Sequence, residues 1–206
     1  PNPDYFAACE LNNRLNDSGI VFRDCPISTI MLKSRDTSLI QSSKTICEVY
    51  SPKFSDILKE TNTYSINLFA EHLLNHIGLK IAGNPSTEMA ANDMLTLWKN
   101  KGIDTQGMFL FDGSGLSRYD SFTARQMVQI LSYMKDSSKY FEHFYNSLPI
   151  GGQTGTLKNM FKDYKSASLI RAKSGTVNRA KAYSGYVKSV SGRDIIFSMI
   201  VNDFSG

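Results

Sequence analysis

The sequence predicts a mixed α/β chain of the α+β kind, with helices packed on an antiparallel sheet. Helical apolar spacing recurs between residues 51 and 147, while strand-like alternation is confined to the end of the chain. A Ser191-Gly192-Arg193 turn splits that end into a hairpin. With 41% apolar and 20% charged residues among 206, the composition suits a packed core rather than a disordered chain. A net charge of +4, scattered along the chain, argues against a committed nucleic-acid binder. No run of 18 apolar residues occurs, so no membrane span is expected, and residues 1–13 show no secretion signal. The three cysteines, Cys9, Cys25 and Cys47, form no C-x-x-C pair, which excludes a disulfide scaffold and a cysteine-rich zinc module.

In chain order, Phe6, Cys9, Leu11 and Leu15 give residues 4–16 an apolar helical side, with Gly19 beyond its end. Residues 20–49 read as loop-rich and extended, with β-type runs at 20–22 and 29–32. Ser51-Pro52 reads as N-cap and first helical position of a helix to Leu58. The next helix, residues 66–77, carries Leu68, Phe69, Leu73 and Ile77 inward and closes at Gly78. Asn84-Pro85 opens another, with Met89, Ala90, Met94 and Leu97 inward and Gly102 as terminator. Thr123 to Gln126 is a capping box, with Phe122 stapled to Met127, for a helix to Lys135. A short helix follows over residues 139–147, then a loop over 151–155, then strands over 182–190 and 194–201. The texture changes near Val49, where a boundary is expected.

Lys173-Ser174-Gly175-Thr176 sets a cation, two hydroxyls and a glycine on four extended residues. Such an edge suits carboxylate recognition or pairing with an extended peptide, and it is equally ordinary turn chemistry. Ser65 at a helix mouth reads either as an N-cap or as a proton-passing hydroxyl beside the Asn67 amide. Residues 112–118 read as a turn, because Gly113-Ser114-Gly115 lacks the spacing of a hydrolase nucleophile elbow. His72 and His76 share a helical face, but no Glu follows the first histidine as a zincin requires, so an ordinary solvated face is preferred. Residues 151–158 lack the G-K-[ST] ending of a phosphate loop and read as a structured loop.

Four stretches in order, SPKFSDILKETNTYSINLFAEHLLNHIG, DGSGLSRYDSF, SLPIGGQTGTLKNMF and RAKSGTVNRAKAYSGYVKSVSGRDIIFSMIVNDF, make the chain resemble a known group. It is similar to the low-molecular-mass penicillin-binding proteins of the D-alanyl-D-alanine carboxypeptidase/endopeptidase type, peptidase family S13. The resemblance implies the C-terminal part of the penicillin-binding protein/serine β-lactamase-like transpeptidase fold, incomplete on its own. Residues 46–206 would belong to the peptidase domain and residues 1–45 to the tail of an inserted subdomain. Of the family's three catalytic motifs, Ser65-Ile66-Asn67 fits S-x-N and Lys173-Ser174-Gly175 fits K-[TS]-G, with Ser in place of the commoner Thr. The first motif, S-x-x-K, should precede both, and its one match, Ser132 to Lys135, lies between them inside a helix and reads as chance.

By resemblance, the substrate is a peptidoglycan stem peptide cleaved through an acyl-enzyme, and β-lactams acylate the same serine. Ser65 would relay a proton to the departing amine, Asn67 would hold the substrate carbonyl, and Lys173 would keep the site electropositive. The Ser174 and Thr176 hydroxyls would grip the terminal carboxylate, with Gly175 allowing close approach and the Thr176 N–H forming half of an oxyanion hole. No cofactor or metal and an extracytoplasmic location are implied. The 206 residues alone are expected to be inactive for lack of the nucleophile and to self-associate over uncovered core. Two other readings compete: a non-catalytic peptidoglycan-binding relative, and a zinc hydrolase using His72 and His76.

Overall fold

A computed structural model of the chain describes residues 2–35, 48–83 and 86–203. The chain divides into two compact units, Pro1–Ser51 and Pro52–Gly206. In the first, α1 (Pro3–Asp17) starts where the Asn2 side chain accepts the Tyr5 N–H at 3.1 Å, and Gly19 follows its end. None of its residues is buried, so within this unit the Phe6 and Leu11 side stays in water. The run at 29–32, expected to be extended, instead lies in α2 (Thr29–Arg35). The reason is local: the buried Ser28 hydroxyl caps the helix by accepting the Met31 N–H at 3.2 Å, and that cap outweighs the β preference of Thr29 and Ile30. Ile20, Val21 and Phe22 form no strand and are exposed. Cys9 and Cys25 are free thiols, while Cys47 lies outside the described residues.

The second unit opens with α3 (Phe54–Tyr64), which begins after Lys53 rather than Ser51 and runs six residues past the expected end at Leu58. Its final turns hold because Thr61 Oγ1 donates to the Ile57 carbonyl at 2.7 Å, and Thr61 and Thr63 are buried in tertiary contact. Helix α4 (Asn67–Ala82) likewise passes through Gly78, which is buried mid-helix, and ends at Gly83 with φ 69°. Leu74 and Gly78 are its buried positions, while Leu68 is exposed. On α5 (Thr87–Asn100), Ala90 and Ala91 are the buried residues, with Met89 and Leu97 more open than expected. Its expected start at Asn84-Pro85 lies outside the described residues.

The capping box of α6 (Ala124–Ser137) is formed in both directions, Thr123 Oγ1 accepting from the Gln126 N–H and Gln126 Oε1 from the Thr123 N–H. Gln126 also donates to the Gln106 carbonyl at 2.9 Å, tying the helix to the turn before it. The short α7 spans Phe141–Ser147. Three antiparallel strands follow in the order β1 (Ile170–Val177), β2 (Ala180–Lys188), β3 (Asp194–Val201). The Lys173 segment, read from the sequence as extended, is therefore an edge strand of the sheet. Asn178 and Arg179, both at positive φ, make the two-residue turn into β2.

Pairing sets Lys173 opposite Ser184, so Lys173, Ser184 and Tyr186 share one sheet face. Tyr186 sinks into the core with Leu131 and Leu148, edge-on to Phe141 and Phe144, and its hydroxyl donates to the Leu131 carbonyl at 2.8 Å. That aromatic cluster fixes the sheet against α6 and α7. Two residues up the strand, the same face opens into a cleft.

Candidate functional site

Ser65 does not cap α4. It ends α3 in the left-handed conformation, φ 57° and ψ 51°, its N–H bonded to the Thr61 carbonyl. Ile66 is extended and Asn67 begins α4, so the Ser65-Ile66-Asn67 motif is the corner between two helices. The Ser65 hydroxyl is thereby left to face outward from the corner, and it accepts a hydrogen bond from Lys173 Nζ at 2.9 Å, across 108 positions of sequence. Nζ also donates to the Ser174 carbonyl at 2.6 Å. Burial lowers the Lys173 pKa below the ordinary lysine range, because the charged form gives up hydration.

A strut built by residues 147–157 holds the two motifs in place. At one end, Asn62 donates to Ser147 Oγ at 2.7 Å and Thr63 Oγ1 to the Ser147 carbonyl at 3.1 Å. At the other, Ala172 N–H donates to Pro149 O and Gly151 N–H to Ile170 O, covering the outer edge of β1 as far as Ala172. The strut then turns back. Gly155, at φ 52°, presses its α-carbon against the Thr63 carbonyl, where a Cβ would overlap the oxygen. Its neighbour Thr156 accepts a hydrogen bond from Ser174 Oγ at 2.8 Å.

Ser65, Asn67, Lys173, Ser174, Gly175 and Thr176 all line one cleft of about 640 Å³. Asn62, Trp98, Phe122 and Met127 line it too, as does the turn over residues 112–116. Gly175 and Thr176 lie exposed on β1, beyond the stretch that the strut covers.

The 112–117 turn is built on carboxylates. Asp112 accepts the N–H groups of Gly115, Leu116 and Ser117, while Glu71 on α4 accepts those of Gly113 and Ser114, each at 3.0 Å. Burial would raise the Glu71 pKa, but the hydrogen bonds from Ser114 and Gly113 outweigh it and hold the carboxyl below its usual value. Asp120 goes the other way. Burial first, then the neighbouring Asp112 and Glu71 charges, push it up to about 6, against the Phe111 N–H that favours its ionised form. One Asp120 oxygen is buried without a hydrogen-bond partner. Sequence reasoning found the turn that contains Asp112 but not Glu71, nor the contact of Thr156 with Ser174; those partners lie 42, 43 and 18 positions away.

The remaining candidates sit elsewhere. His72 and His76 are exposed on α4, and the described residues contain no cluster of His, Cys, Asp or Glu suited to a metal. Ser132 and Lys135 lie on α6, where Lys135 pairs with Asp194 at 2.9 Å and is committed to the sheet. Among the described residues, no helix is long and apolar enough to cross a membrane.

The model of the D-Ala-D-Ala carboxypeptidase 3 (S13) family matches residues 1–206. The chain belongs to that family. It is 32% identical over 171 residues to a D-alanyl-D-alanine carboxypeptidase of Actinomadura sp. (strain R39), an alignment covering 81% of this chain and 31% of that protein. With the D-alanyl-D-alanine carboxypeptidase DacB of Haemophilus influenzae it shares 24% identity, over 99% of this chain and 41% of that one. This S13 chain thus spans between about a third and two fifths of the length of these curated relatives. Its fold is that of penicillin binding protein 4 (dacB) of Haemophilus influenzae, crystallised with a novel β-lactam. The TM-score is 0.83 at 22% identity, covering 100% of this chain and 46% of that one. The mixed helical and antiparallel architecture expected from the sequence is therefore that of a penicillin-binding protein, present in part.

Proposed function

We propose that this S13 chain supplies two of the three catalytic motifs of a serine-type D-Ala-D-Ala carboxypeptidase/endopeptidase that acts on peptidoglycan stem peptides outside the cytoplasm. The observation that carries the reading is the 2.9 Å contact between Lys173 Nζ and Ser65 Oγ in a cleft that also holds Asn67 and the open edge of β1. A substrate strand laid along that edge would pair with β1, its terminal carboxylate meeting the Ser174 and Thr176 hydroxyls beside the Lys173 charge. Asn67 would hold the substrate amide carbonyl. The Thr176 N–H would supply half of an oxyanion hole, a donor of the kind whose loss costs about 10²–10³ in rate. Ser65, already hydrogen-bonded to an ammonium, would relay a proton to the departing D-alanine amine. Acylation and hydrolysis proceed on a serine from an S-x-x-K segment outside these 206 residues, and β-lactams acylate the same serine. In this scheme residues 46–206 are the C-terminal part of the peptidase domain, and residues 1–45 are the tail of an inserted subdomain.

The experiment compares the 206 residues alone with the full-length protein, each incubated with labelled penicillin. A stoichiometric covalent adduct is expected only with the full-length protein, and Ser65→Ala should slow its formation by about 10²–10⁴. An adduct on the 206 residues alone would refute the assignment of the nucleophile, and none on either protein would refute the reading as a whole. Ile195, Met199 and Val201 are exposed on β3, so the 206 residues alone are also expected to self-associate, read by light scattering.

A further inference from the structure

Glu71 lies one helical turn beyond Asn67 on α4, and its two carboxylate oxygens accept the Gly113 and Ser114 N–H groups, one each, at 3.0 Å. This is a fork gripping two consecutive peptide units from a different element, 42 and 43 positions away. The grip is tight as well as charged: the Gly113 backbone lies so close to the Ala70 carbonyl that a Cβ at 113 would overlap it. Asp112 then takes the next three N–H groups. All five N–H groups from 113 to 117 therefore end on carboxylates, and Glu71 is the one that anchors the turn to the helix carrying Asn67. The clamped segment, residues 113–116, lines the same cleft as Asn67 and Lys173.

We propose that Glu71 is a positioning residue for the reaction assigned above, on which this inference rests. By fixing the 113–114 backbone to α4, it sets where the cleft wall stands relative to the Asn67 amide, and so how the peptide chain seats between that wall and β1. A rigid wall matters because a misplacement of about 1 Å can cost on the order of 10² in rate. Glu71→Gln keeps the side-chain volume but turns one of the two acceptors into an NH₂ group facing an N–H donor. Glu71→Ala removes both acceptors.

The test uses the full-length protein, with active sites titrated by a fluorescent penicillin and kcat and KM measured per titrated site on a D-Ala-D-Ala-ended stem peptide. A residue that only stabilises the fold would change the number of competent sites and leave the constants of each site alone. The positioning role instead predicts that kcat/KM per site falls at least about tenfold in both variants, KM rising more than kcat falls. Per-site constants within about twofold of the wild type in both variants would overturn the proposal. So would failure of both variants to fold, which would make Glu71 a folding residue. A wild-type protein that titrates no sites overturns both this assignment and the function it rests on; a wild type that titrates, matched by its variants, overturns the clamp alone.

Discussion

Replacing Gly155 with alanine tests whether the strut joins the two motifs. At φ 52° an alanine carries a left-handed conformation costing about 1–2 kcal/mol. Its Cβ would overlap the Thr63 carbonyl oxygen and sit 2.9 Å from both the Thr63 carbonyl carbon and Cγ2. Thr63 cannot yield easily, being buried at the end of α3 and bonded to the Ser147 carbonyl. The strut must move instead, at an overpacking cost of about 1–3 kcal/mol. Together these give about 2–5 kcal/mol, or a midpoint lowered by about 4–20 °C for a domain of this size. Gly102→Ala is the control, since Gly102 is also at positive φ, 82°, with nothing within 4 Å of the added carbon, and should cost only the conformational part. Because Thr156 follows Gly155 and holds Ser174, the Gly155 variant should, in the full-length protein, also slow acylation by labelled penicillin under the proposed function, whereas the Gly102 variant should not. Equal midpoints and equal acylation rates for the two variants would refute the strut.

Three further outcomes are expected. In the full-length protein, Lys173→Met should, under the proposed function, cut acylation by at least about 10²-fold, read with labelled penicillin. Because folding lowers the Lys173 pKa, the unfolded chain binds the extra proton at alkaline pH, and this group makes stability rise toward pH 10.5; the variant should lose that rise in thermal scans. Asp120, with its pKa raised to about 6, holds its proton more tightly when folded, so its contribution to stability falls as the pH climbs from about 4 to 6. Asp120→Asn should flatten the midpoint over that window and be the more stable form at pH 7; an unchanged slope would count against the raised pKa. Tyr186→Phe removes the hydroxyl bonded to the Leu131 carbonyl and should lower stability by about 1–2 kcal/mol in urea titrations, with the aromatic packing kept.

Features written in a few adjacent residues were legible. The Thr123–Gln126 capping box closes over four positions, and the hairpin ending at β3 is marked by Ser191-Gly192-Arg193. Helix ends proved less legible, because Gly78 is helical where α4 has a buried face to keep, and Thr61 and Thr63 prolong α3 against their own propensity. Thr29 to Leu32 misled for the opposite reason, their β character being overruled by one serine hydroxyl just before them. In the cleft, motif order drew attention to Ser65, Asn67 and Lys173, and the structure brings Ser65 and Lys173 into contact. The groups that hold the walls were silent in sequence, since Glu71 meets residue 114 across 43 positions that include α5, and Thr156 meets Ser174 across 18. The Asn178-Arg179 turn was the overlooked sign that the Lys173 segment is a full strand.

The left-handed corner at position 65 sets backbone preference against chemistry. Glycine would relax that corner by about 1 kcal/mol or more, yet glycine has no hydroxyl to meet the Lys173 ammonium. A selection for thermal robustness alone would drift toward glycine at this position, and one that also demanded turnover would keep the serine. Under the proposed function, residue 65 would be where the protein gives up durability in exchange for reactivity.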